Sequence, residues 1–114
     1  MLANDSLMKD LQIKGLSYMD YNTFKISIKY DVPSSNFTEP ELAMWYVLNN
    51  NWDSAHQTAQ SINNKLGSWI HAYLHRIEGD LSNANYWYQR ANLIPFQGSK
   101  EDEAEEIIRC IVEI

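Results

Sequence analysis

The stretch His71-Ala72-Tyr73-Leu74-His75, with Ala84 nine residues later and then Tyr88 and Ala91, governs how this chain is read. It echoes an earlier unit, Leu42-Ala43-Met44-Trp45-Tyr46, with Ala55 nine residues later and then Ala59. Ala43 to Ala72 and Ala55 to Ala84 are both 29 residues apart. Recurrence at such a period marks stacked supersecondary units, each too small to bury its apolar face alone.

Local signals place helices on this repeat. Thr38-x-x-Glu41 with Pro40 in the first turn is a capping-box start. The helix it opens breaks at Asn49-Asn50-Asn51, and Asp53 is expected to cap a second helix carrying Ala55, Ala59 and Ile62. Asn63 to Gly67 reads as a loop, after which Ser68 is expected to cap a third helix with Ile70, Tyr73, Leu74 and Ile77 on one stripe. Gly79 supplies a left-handed stop, and Asp80 begins a fourth helix. Beyond Pro95 and Gly98, Ser99-x-x-Asp102 opens a fifth, with acids in its first turns and Ala104, Ile107, Ile108 and Ile111 facing inward. The expectation is an all-α domain over residues 19–114: two hairpins at about 39–62 and 68–92, and a capping helix at about 99–113.

The N-terminal third carries two patterns. Phe24, Ile26, Ile28 and Tyr30 alternate with polar residues as in a strand, whereas Tyr21, Phe24 and Ile28 share a helical face. A lone strand lacks a partner in a helical domain, so a helix over about 20–30 is expected. Residues 1–18 read as a loose extension.

Two resemblances follow from these residues. The repeat resembles the tetratricopeptide pattern, which places a small residue where paired helices cross. Ala43, Ala55, Ala72, Ala84 and Ala91 match its small positions, and Tyr46 and Tyr88 its aromatic ones. His71 and His75 depart from it, standing where Leu and an aromatic are expected. The blocks Trp52-Asp-Ser-Ala-His56, Trp69-Ile-His-Ala-Tyr-Leu-His-Arg-Ile-Glu-Gly-Asp80 and Asn83-Ala-Asn-Tyr-Trp-Tyr-Gln-Arg-Ala91 look like a family of small bacterial proteins. That likeness spans roughly residues 20–114 and implies a helix at 20–30. No activity is established for that family, so it implies none here.

Composition narrows the function classes. A hydrophobic fraction of 45% and a charged fraction of 21% fit one ordinary globular core. The net charge is −6, of which −4 comes from Ser99 onward, where six acids face Lys100 and Arg109. A chain without a basic run repels phosphate backbones, so nucleic-acid binding is not expected. There is neither an apolar leader stretch near the start nor an 18-residue apolar run, so a cytoplasmic protein without membrane contact is expected. Cys110, flanked by Ile107, Ile108, Ile111 and Val112, reads as a small core residue.

Two constellations could carry function. Trp69, Tyr73 and Arg76 share one side of the third helix, and Pro40, Met44, Val47 and Leu48 form the equivalent side of the first. In tetratricopeptide arrays these positions face a peptide groove, and Trp, Tyr and Arg are the types enriched at binding hot spots. The competing reading is that the N-terminal segment or the last helix covers this groove. Separately, His71, His75 and Glu78 are spaced i, i+4, i+7, and His56 on the preceding hairpin could join them. Two imidazoles one turn apart suit a divalent metal, although the same residues could simply pack and hydrogen-bond at the helix crossing. Nucleophile elbows, phosphate-cradling glycine loops and Cys-x-x-Cys pairs are missing, so neither an enzyme nor an organic cofactor is expected.

A non-catalytic interaction or scaffold domain binding a protein or peptide is therefore the leading expectation. A metal-binding protein or metal-dependent enzyme using His56, His71, His75 and Glu78 is the alternative. A homodimer burying Trp52 or the last helix is a third. The acids of the last helix are expected to form a solvated face.

Overall fold

The computed structural model describes residues 19–112, which fold into six helices with no strand among them. They are α1 (Tyr21–Ser27), α2 (Glu39–Leu48), α3 (Trp52–Gln60), α4 (Lys65–Ile77), α5 (Leu81–Arg90) and α6 (Lys100–Val112). The expected extension over residues 1–18 lies outside the described part.

The all-α reading holds, and so do the two hairpins, α2 with α3 and α4 with α5. Short connections force each pair to lie side by side. In the first, Asn50 adopts a left-handed φ of 60°, and in the second Gly79 takes 85°. Asn and Gly are the residues that tolerate this region with least strain. The capping box at α2 is complete: Thr38 N donates to Glu41 Oε1 at 2.8 Å, and Glu41 N to Thr38 Oγ1 at 3.4 Å.

Several boundaries differ from expectation. Asn51, not Asp53, caps α3 by accepting from Ser54 N at 3.2 Å. Asn64, not Ser68, caps α4 by accepting from Gly67 N at 2.9 Å, so the helix starts a turn early. Gly67 is therefore not a breaker but part of the first turn, where Ile62 crosses it. A Cβ added at Gly67 would stand 2.1 Å from the Ile62 carbonyl oxygen. The N-terminal helix is real but ends at Ser27, with Phe24 buried and Ile26 on the outside, as the helical face requires.

The repeat alanines do what their size permits. Ala43, Ala55, Ala59, Ala72, Ala84 and Ala91 are all buried, letting neighbouring helices approach closely. α4 is the central element: six consecutive residues, Ile70 to His75, are buried because α2, α3, α5 and α6 all pack on it. Trp52 at the start of α3 is tied to α4 by its indole N–H, which donates to the Leu74 carbonyl at 2.8 Å. Trp45 makes a similar link from α2 to the Ser27 carbonyl at 3.0 Å, holding α1 in place.

Two further expectations are corrected. Cys110 is exposed: it lies on nearly the same side of α6 as buried Glu103 but two turns further on, beyond Trp69, Arg76 and Tyr88, which cover Glu103. The acids of α6 are not uniformly solvated. Glu103 is 0% exposed and sits on the buried stripe with Ala104, Ile107 and Ile108.

Candidate functional site

The face expected to hold a peptide is partly filled by the chain's own α6. Met44 and Tyr73 are buried in the core, Leu48 is half-buried against it, and Tyr73 Oη donates to the Lys100 carbonyl at 3.0 Å. Glu103 receives three donors from the other expected residues and their neighbour. Arg76 Nη1 approaches Oε1 at 2.7 Å, while Trp69 Nε1 at 3.0 Å and Tyr88 Oη at 2.6 Å share Oε2. Arg76 also donates to the Gly98 carbonyl at 2.6 Å and lies over the Phe96 ring, fixing the approach to α6. A buried carboxylate needs an opposite charge and hydrogen-bond donors, and Glu103 has both. Beside α6 a cleft of about 570 Å³ stays open on this face, lined by Val47, Leu48 and Tyr73.

The histidines converge elsewhere, on the opposite flank of α4. His71 and His75, both 6% exposed, face half-buried His56 on α3. The Nε2 atoms of His56 and His71 are 2.9 Å apart, a hydrogen bond in which one ring donates and the other accepts. One nitrogen from each of the three rings falls within a common spread of 4.8 Å. His75 Nδ1 lies 2.7 Å from Glu78 Oε1, so its Nδ1–H points at the carboxylate. Glu78 thus orients His75 from outside the trio.

Aromatic rings hold the imidazoles from both ends. Trp52 stacks on His56 at 4.8 Å and 10°, and Trp87 stacks on His71 at 3.9 Å and 7°. Between them His71 and His75 stack at 5.1 Å. The result is a ladder of rings that fixes the three imidazoles with little rotational freedom left.

The surroundings favour the neutral form of His71 and His56. Burial, and then the neighbouring His56 and His75, push the pKa of His71 down to about 4. Burial and then His75 lower that of His56, with Glu78 and Asp53 acting in opposition. Neutral imidazoles carry the lone pairs that metals need. Every buried side-chain nitrogen and oxygen among the described residues is satisfied, so the trio also holds together without an ion.

The trio opens on a cleft of about 960 Å³ between α3, the α3–α4 connection, α4 and α5. Lys65, Ser68, Asn83 and Arg90 line it with the three histidines, and no Asp or Glu does. Arg90 forms no ion pair among the described residues. It lies instead over Trp87 at 5.2 Å and donates to Tyr86 Oη at 3.2 Å.

The sequence reading therefore found the three histidines and Glu78, and the structure brings them together. It assigned nothing to Lys65 or Trp87. For Trp87 a signal existed, since it follows crossing residue Ala84 by three positions and so turns toward α4. Compared with protein-family models, curated proteins and solved structures, the chain matches none significantly, so the site is interpreted on its own chemistry.

Proposed function

We propose that this domain binds one divalent transition-metal ion through His56, His71 and His75. The observation that carries this is the convergence of three imidazole nitrogens within 4.8 Å, with a carboxylate on the outer nitrogen of His75. A carboxylate or carbonyl behind a histidine is the usual support of a metal ligand, fixing its tautomer and raising its basicity.

Imidazole nitrogen suits nickel, cobalt, copper and zinc. Drawing all three nitrogens onto one ion takes a movement of roughly 1–2 Å, for which half-buried His56 has more room than His71 or His75. Three neutral donors leave coordination positions open toward the cleft. A metal held this way would act as a Lewis acid or as an anchor for a ligand.

Metal analysis of untagged protein, followed by thermal melts with nickel, cobalt, copper and zinc, tests this. At about a hundredfold excess over Kd, an ion that binds only the folded state adds about 2.7 kcal/mol, or a rise in Tm of about 10–20 °C for a domain this size. No co-purifying metal together with unchanged melting in all four ions would show that the trio is packing alone.

A further inference from the structure

We propose that the open side of this metal site takes a small oxyanion, a carboxylate or a phosphate, held by Arg90 and Lys65. This rests on the metal-binding reading above and adds to it the chemical class of the ligand.

Charge bookkeeping around the cleft points this way. The chain holds 15 acids against 9 lysines and arginines, yet the cleft wall carries Lys65 and Arg90 and not one acid. The donor set is equally one-sided. Three neutral imidazoles bring no negative charge to the ion; the acids close by, Glu78 and Asp80 beside His75 and Asp53 near His56, stand outside the trio and off the cleft wall. A metal so placed, facing two cations across a cleft, attracts an anion to its open positions.

The wall also supplies oriented donors. Arg90 is positioned by stacking over Trp87 at 5.2 Å, and Trp87 in turn lies flat on metal-ligand candidate His71 at 3.9 Å. Only one of its guanidinium nitrogens is engaged, with Tyr86 Oη, so further N–H groups remain for a planar oxyanion. Lys65 at the start of α4 has no ion-pair partner among the described residues. Asn63, Ser68 and Asn83 add uncharged hydrogen-bonding groups to the same cleft wall. This arrangement suits a small molecule with one oxyanion end on the metal and polar groups reaching Arg90. An apolar ligand would leave these donors unpaired.

The test uses the full chain loaded with one equivalent of cobalt(II), whose visible d–d bands report its coordination sphere. Inorganic phosphate and acetate are titrated separately, and the anion that moves the bands identifies which chemistry the site prefers. A saturable change at one anion per protein is expected with at least one of them. In R90Q and K65Q, anion affinity should fall about tenfold, the loss of one charge-assisted hydrogen bond, while cobalt affinity stays as in the parent. Tight cobalt binding with bands unmoved by both anions overturns the oxyanion site but leaves the metal site standing. Equal anion affinity in parent and both variants overturns the role of Arg90 and Lys65. Failure of cobalt to bind removes the metal reading and this inference together.

Discussion

Removing the carboxylate of Glu103 should be the most damaging change on α6. In Glu103→Ala the Arg76 guanidinium loses its ion pair, and Trp69 Nε1 and Tyr88 Oη lose the acceptor they share. Arg76 keeps only the Gly98 carbonyl, and Tyr88, 3% exposed, cannot turn to water. Stranding one partner of a buried pair costs about 3–5 kcal/mol. Against a total stability of about 5–15 kcal/mol, that is a large share, and it should lower Tm by more than about 12 °C. Glu103→Gln keeps an acceptor and the volume but loses the charge, so it should cost about 1–3 kcal/mol. The assay is urea denaturation followed by tryptophan fluorescence, since Trp69 sits in the network. Should Glu103→Ala fail to fold, the double change Glu103→Leu with Arg76→Met provides a second reading. By removing both charges together it should recover the part of the loss that comes from the stranded guanidinium, while Trp69 Nε1 and Tyr88 Oη still lack their acceptor. Glu103→Ala within about 0.5 kcal/mol of the parent, the range of an ordinary surface substitution, would refute the assignment of Glu103 as the residue that locks α6 in place.

Three other outcomes follow from the same geometry. Gly67→Ala ought to gain about 1 kcal/mol from helix propensity alone; because its Cβ would meet the Ile62 backbone at 2.1 Å, a net loss of about 1–3 kcal/mol is expected instead, read from the urea midpoint. Burial first, and the Glu103 charge after it, raise Tyr73 to about 12, and burial with the Glu103 hydrogen bond raises Tyr88 further. Above pH 10 the unfolded chain then releases protons that the folded one retains, so stability should fall by up to about 1.4 kcal/mol per pH unit for each tyrosine; denaturation curves from pH 9 to 11.5 that superimpose would contradict this. Cys110, being exposed, should react with a thiol reagent in the native protein as fast as in denaturant to within roughly a factor of ten; strong protection would restore it to the core.

What the sequence made legible is what periodicity encodes. The alanines at 43, 55, 72 and 84 announced the hairpins because only small side chains fit at close helix crossings, and all four are buried. The start of α4 was missed because a glycine beside polar residues usually ends a helix. Gly67 is there for the opposite reason, to let the Ile62 backbone pass. Cys110 was misplaced because its angle on the helix nearly matches that of buried Glu103, whereas its exposure depends on its lying two turns further along α6. Glu103 shares a stripe with Ile107, one turn away, but nothing local reveals that three donors from α4 and α5 await it. The histidine trio was half legible. The pair on α4 is a spacing, whereas its meeting with His56 and the flanking Trp52 and Trp87 depends on how the hairpins stack.

The central claim is that His56, His71 and His75 close on one metal ion. X-ray absorption at the cobalt or nickel edge of the loaded, untagged protein examines that directly. The account predicts a first shell of nitrogen and oxygen at about 2.1 Å, with outer-shell scattering from about three imidazoles, and loss of the bound metal in His71→Ala and His75→Ala variants that keep the parent's helical circular dichroism. A spectrum without imidazole scattering, or a site retained in both variants, would contradict it.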